Sequence, residues 1–176
     1  MSASPHPTNS VPGSHCSSCG ASYEDQPSGW PRTCAACGTV AYRNPLPVAV
    51  AVQPAYDTQG TGLVVVTRTI APALGGIALP GGFIDDREDW RDAVVRELKE
   101  ETGIAAESRD VRLADAMSAP DGYLLLFGLL PARPASDLPA PAPTDETEGW
   151  HLLRRPEELA FPLHTLVARA WFEGRY

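Results

Sequence analysis

The chain has 176 residues, 43% of them hydrophobic, with a formal net charge of -8 and a pI near 4.9. That length holds one ordinary domain plus a small accessory module and excludes a large multidomain machine. The acidic balance argues against nucleic acid or an anionic membrane as partner, because phosphate backbones demand cationic patches. An acidic protein that handles phosphates needs metal ions as intermediaries.

Residues 1–13 are rich in Ser and Pro and are expected to be disordered. They lack the basic and apolar parts of a signal peptide. No stretch approaches the roughly 18 apolar residues of a membrane helix, so cytoplasmic residence is expected. Residues 14–43 carry all four cysteines, as CSSCG (Cys16, Cys19) and CAACG (Cys34, Cys37), with 14 residues between the pairs. In a reducing compartment, two C-x-x-C pairs read as a metal site rather than as disulfides. Four thiolates suit Zn2+ in a closed structural site, and Gly20 and Gly38 relieve the tight turn after each pair. His15 reads as a solvated neighbour of Cys16. The segment is too short to bury its own core, so its folding should depend on the metal.

NPLP at 44–47 marks a boundary, and the remainder, 44–176, alternates strand-like and helix-like patterns. Valine-rich runs at 48–53 and 62–68 read as strands around a turn, and 76–79 leads as a short strand into Gly81-Gly82. Residues 89–102 read as a helix stopped at Gly103. A strand pair is expected at 111–118 and 123–130, then a mobile Pro- and Ala-rich loop over 131–147, then a last strand at 149–153. Leu163, Leu166, Val167, Ala170 and Trp171 have the spacing of an amphipathic closing helix, with His164 on its surface. His151 reads as strand surface. This order of elements implies an α/β/α sandwich with a mixed sheet, preceded by a small zinc ribbon.

The first helix poses the chemical question. On a wheel of about 100° per residue, Trp90, Ala93, Val94 and Leu98 share one arc with Glu97 and Glu101, and Glu100 sits at its edge. Three carboxylates at a helix C-terminus repel one another and oppose the macrodipole. Clustered carboxylate oxygens of this kind suit a hard divalent cation, Mg2+ or Mn2+.

The stretch LPGGFIDDREDWRDAVVRELKEETGI carries Gly82, Glu88, Arg96-Glu97-Leu98, Glu100-Glu101 and Gly103-Ile104 at the spacing of the 23-residue Nudix box. By this motif the chain resembles a Nudix hydrolase, and its cysteine module resembles the zinc ribbon of the NADH pyrophosphatase branch. The resemblance implies metal-dependent cleavage of a nucleoside diphosphate linked to another moiety. It makes Glu97, Glu100 and Glu101 the metal ligands, with the Gly81 carbonyl as a further one. Arg96 is expected to orient the carboxylates through Glu88, and the general base is expected to be Glu97 or Glu148. The SQPWPFPxS motif of the NADH branch is absent, while Pro120 stands 16 residues after Ile104, where ADP-ribose pyrophosphatases of this type tend to carry a proline. ADP-ribose or a related nucleotide sugar is therefore the expected substrate, with NADH or NAD, free or capping an RNA, as the alternative. Phe83, beside the glycine turn, is the candidate to stack on a base. A non-catalytic nucleotide sensor is the alternative from another class; it predicts a degraded box, whereas this one is intact. The ribbon is expected to support folding, a homodimer contact or one wall of the substrate site.

Overall fold

The computed structural model describes residues 13–23 and 29–176. The expectation of disorder at the N-terminus falls, up to residue 12, outside the described residues. The chain divides into two compact units after Asn44.

In the first unit each cysteine pair closes a knuckle. The Gly20 N–H donates to the Cys16 carbonyl and the Gly38 N–H to the Cys34 carbonyl, both at 2.8 Å. Both glycines adopt positive φ (76° and 74°), a conformation that strains any residue with a Cβ. β1 (Arg32–Thr33) and β2 (Val40–Ala41) form an antiparallel pair across the second knuckle. Among the described residues of this unit, the buried apolar cluster is Cys16, Tyr23 and Cys34 with part of Ala21.

The second unit is built on two mixed sheets. Its strands are β3 (Leu46–Val52), β4 (Pro54–Asp57), β5 (Gly60–Arg68), β6 (Ile77–Ala78), β7 (Gly81–Phe83), β8 (Arg112–Ser118), β9 (Tyr123–Leu129), β10 (Arg133–Pro134) and β11 (Thr147–Leu153). One sheet has the order β7-β3-β9-β8, with β3 and β9 parallel; the other runs β10-β4-β5-β11, with β6 attached to β5. Alternation along β3 and β5 sorts the core into two layers. Ala49, Ala51, Val64 and Val66 face Ala93, Val94 and Leu98 of α1 (Trp90–Thr102). Val50, Val52, Leu63 and Val65 face Phe127 and, on α2 (Pro162–Phe172), Val167 and Ala168. Alanines on the α1 side let that helix approach closely, and the two layers give the expected α/β/α sandwich. Among the described residues no helix is long and apolar enough to cross a membrane.

Two expectations are corrected. Residues 131–147 are not a featureless loop: β10 pairs in parallel with β4, and Leu138 is buried in the α1-side core. The closing helix is turned relative to its apolar pattern, so that Leu166 is 48% exposed while His164 is buried at 5%. His164 is drawn inward because its Nδ1 accepts the Leu79 N–H at 3.3 Å and its ring meets Phe127 edge-on. Burial holds its pKa down at about 3, so the ring is neutral.

Candidate active site and metal centre

α1 begins and ends as its sequence dictates. The Asp89 carboxylate accepts the Arg91 N–H at 2.8 Å as N-cap, and Gly103 (φ 75°) closes the last turn by donating to the Lys99 carbonyl. Between these caps the helical period carries Glu97 and Glu101 inward, to 9% and 4% exposure, and leaves Glu100 exposed.

The helix meets β7 where no side chain intervenes. A Cβ placed on Gly82 would lie 2.5 Å from Glu97 Oε1, so only glycine lets this carboxylate reach the strand. One residue earlier, the Gly81 N–H donates to Glu101 Oε2 at 3.2 Å. Arg96 organises the rest. Its Nε–H and one Nη2–H form a fork on the Glu88 carboxylate at 2.8 and 2.9 Å. Its Nη1 donates to Glu97 at 2.6 Å and Glu100 at 3.1 Å, and its remaining N–H goes to the Phe83 carbonyl at 2.9 Å. All five guanidinium donors are thereby used. Glu88 also accepts the Asp85 N–H, and its pKa is held down at about 2, first by Arg96.

Burial has the opposite effect on the two inward carboxylates. Desolvation raises Glu97 above the ordinary range despite Arg96, and it pushes Glu101 up to about 8, with the charges of Glu97 and Glu146 adding to the rise. Two buried carboxylates raised above their ordinary range, one of them without an ion-pair partner among the described residues, fit a hard cation. The helix carboxylates form no closed cage, since Arg96 draws Glu97 and Glu100 one way and the Gly81 N–H draws Glu101 another. Such an open set suits Mg2+ or Mn2+, which keep several positions for water and phosphate oxygen.

The cysteine site is of the other kind. Among the described residues, Cys16, Cys19, Cys34 and Cys37 place their sulfurs within 4.8 Å of one another. The Cys16–Cys37 and Cys19–Cys34 separations are 3.7 and 3.6 Å, close to the roughly 3.8 Å between sulfurs of a tetrahedral zinc thiolate site. The N–H groups of Cys19 and then Ser18 lower the Cys16 pKa, which favours the thiolate a metal requires. His15 is exposed and lies outside the cluster.

The remaining expected residues are placed unequally. Glu88, Arg96, Glu97, Glu100, Glu101 and Gly81 converge at the junction of α1 and β7. Phe83 is 53% exposed and pairs with Val48, so its ring projects from the face of β7 opposite the carboxylates, 5.9 Å from the Tyr123 ring. Pro120 is exposed in the turn between β8 and β9. Glu148 is exposed on β11, and the loop carboxylate whose charge acts on both Glu97 and Glu101 is Glu146. Sequence reasoning missed Thr147, whose buried hydroxyl donates to the Glu101 carbonyl at 3.0 Å, and Arg68, whose charge acts on Glu101. Thr147 gives no signal in its own stretch, because its partner is 46 residues away. Arg68, the charged end of a valine-rich strand, was the visible one.

A sequence-family model of the NUDIX domain matches residues 45–173, which contain the whole carboxylate site. The chain belongs to the NUDIX family. This Nudix hydrolase is 33% identical over 130 residues to a protein named ADP-ribose pyrophosphatase from Methanocaldococcus jannaschii, covering 72% of this chain and 75% of that one. It resembles the crystal structure of a NUDIX hydrolase from Nitrosomonas europaea with a TM-score of 0.68 at 25% identity, over 92% of this chain and 91% of the other. It also shares its fold with a MutT/nudix family protein from Enterococcus faecalis (TM-score 0.58, 24% identity, 66% of this chain), of which it spans only 46%.

Proposed function

We propose that this Nudix hydrolase cleaves the pyrophosphate bond of a nucleoside diphosphate linked to another moiety, and that its substrate is ADP-ribose or a related nucleotide sugar. The observation that carries the reading is the buried carboxylate pair set against two glycines, Glu97 held by Arg96 and Glu101 without an ion-pair partner among the described residues. The substrate preference draws on the relative named ADP-ribose pyrophosphatase, which spans most of this chain.

Glu97 and Glu101 would hold the divalent cation, with Glu100 and the Gly81 carbonyl completing the protein's share. When bound, the cation neutralises phosphoryl oxygens and acidifies the attacking water. Arg96 and Glu88 act through Glu97 and Glu100, fixing their orientation before substrate arrives. Glu97 or an acidic residue of the following loop takes the proton of the attacking water. Glu146, in the loop just before β11, has a stronger case than Glu148, exposed on that strand, since the charge of Glu146 acts on both buried carboxylates. The four cysteines would hold zinc in a structural role.

The test is a coupled phosphate-release panel with Mg2+ or Mn2+ on ADP-ribose, NADH, NAD, nucleoside triphosphates and diadenosine polyphosphates, run on wild type and Glu97→Gln. Metal-dependent turnover led by ADP-ribose, and reduced on the order of 10²- to 10³-fold by the substitution, is the expected result. A preference for NADH would move the substrate assignment to that branch, and turnover indifferent to Glu97→Gln would remove the site assignment.

A further inference from the structure

β11 enters its sheet through a bulge. Thr147 stands opposite Arg68 but Trp150 opposite Val66, so β11 carries one residue more than β5 between these pairs. Gly149 takes a positive φ (106°) there, with the Ala142 main chain close to where a Cβ would stand. The irregularity leaves Glu148 facing solvent and Thr147 wholly buried.

The buried hydroxyl joins two segments. It donates to the Glu101 carbonyl at 3.0 Å, one of the carbonyls that the end of α1 leaves without a helical partner. With that proton committed, Thr147 Oγ1 accepts the Thr144 hydroxyl at 3.2 Å and the Gly149 N–H at 3.4 Å. Thr144 Oγ1 in turn accepts the N–H groups of Glu146 and Thr147 at 3.2 and 3.1 Å. From the other side Thr69 donates its N–H to the Glu146 carbonyl at 2.8 Å and its hydroxyl to the Asp145 carbonyl at 3.2 Å. The main chain of Glu146 is therefore held at its N–H and at its carbonyl, and the turn that carries it is fastened to Glu101 through Thr147. The charge of Glu146 acts on both Glu97 and Glu101. Like charges push the turn away from the helix, and the hydroxyl works against that push.

We propose that Thr147 is a positioning residue of the carboxylate site, its hydroxyl holding the Glu146 turn against the end of α1 so that the Glu146 carboxylate stays beside the cation that Glu97 and Glu101 would bind. The assignment rests on the cation-site reading given above and not on the identity of the substrate. A plain helix cap would need the same hydrogen bond, but its loss would be felt whether or not Glu146 carried a charge.

The experiment is a double-substitution cycle on Mn2+ affinity, read by electron paramagnetic resonance on the full chain, with Thr147→Val, Glu146→Gln and the two combined. Thr147→Val keeps the shape and removes the hydroxyl. It should weaken Mn2+ by roughly three- to tenfold when Glu146 is present and by less than about twofold in Glu146→Gln, and Thr147→Ser should recover most of the loss. Equal losses in both backgrounds, or wild-type Mn2+ affinity in Thr147→Val, overturn the assignment. Thr144→Ala loosens the same turn from its outer side. If Thr147→Val does not fold, a Thr144→Ala loss that persists in Glu146→Gln, or no loss at all, overturns the assignment equally. Mn2+ affinity indifferent to Glu97→Gln removes the cation-site reading and this assignment with it. A coupled cycle in a protein that hydrolyses no linked diphosphate would sink the substrate reading and leave Thr147 standing.

Discussion

The two units solve the problem of staying folded by different means. Among its described residues the first buries two cysteines, a tyrosine and part of an alanine, and two knuckles bring four sulfurs together. The second buries two apolar layers, and its carboxylate site sits at their edge as a local disturbance. A metal in the first unit would be a structural element, whereas a metal in the second would serve chemistry that the fold survives without. On this reading the two ligand sets would differ with the task, thiolates where an ion would replace a core and carboxylates where it would exchange with water and substrate.

The largest expected effect comes from removing a thiolate. Structural zinc contributes roughly 10 to 16 kcal/mol in small modules, so Cys34→Ser should release zinc and unfold the first unit. Zinc content by mass spectrometry and hydrogen exchange over residues 13–44 would check this, and full zinc retention would break the contrast. Phe127→Ala is the converse: it should lower the stability of the second unit by about 3 to 5 kcal/mol in urea and leave zinc content unchanged. Next comes Glu88→Gln, which takes one arm from the Arg96 network without touching the cation ligands. A fall in activity or Mn2+ affinity of roughly ten- to hundredfold is expected, and activity equal to wild type would reduce Arg96 and Glu88 to ornament.

The smallest effect is on the pH dependence of stability in the metal-free protein. The Glu101 carboxyl, raised from 4.5 to about 8, contributes stability that is whole below 4.5 and is lost as pH rises to about 8. His164, lowered from 6.5 to about 3, contributes stability that is whole above 6.5 and declines as pH falls toward 3. Thermal melts in EDTA should show the alkaline decline relieved in Glu101→Gln and the acid decline relieved in His164→Asn. A variant that leaves its own limb of the profile unchanged refutes that assignment.

Local chemistry was the legible part of the fold. The knuckles, the Asp89 and Gly103 caps and the inward turn of Glu97 and Glu101 follow from short-range spacing, and each was readable within a window of about two helical turns. The orientation of α2 was not, because the apolar period of Leu163 and Leu166 lost to a single buried hydrogen bond from Leu79, a residue of another element. The Pro-rich stretch after β9 likewise looked unstructured, since short strands such as β10 have no signature apart from the partner they pair with. At the site, the box showed which carboxylates point inward. It gave no hint that Phe83 would lie on the far face of β7, nor that Thr147 would bond to Glu101. Those placements depend on strand register, which is fixed by contacts between distant segments.

The fully committed guanidinium of Arg96 has a kinetic consequence. A counter-charge with spare donors could follow a departing phosphate and leave the carboxylates to reassemble after every cycle. With each of its five N–H groups already engaged, Arg96 has nothing to hand over, and Glu88, Glu97 and Glu100 keep their places as product leaves. Between rounds the carboxylates would then need no refitting, because the guanidinium that aligns them has no donor to release or recapture.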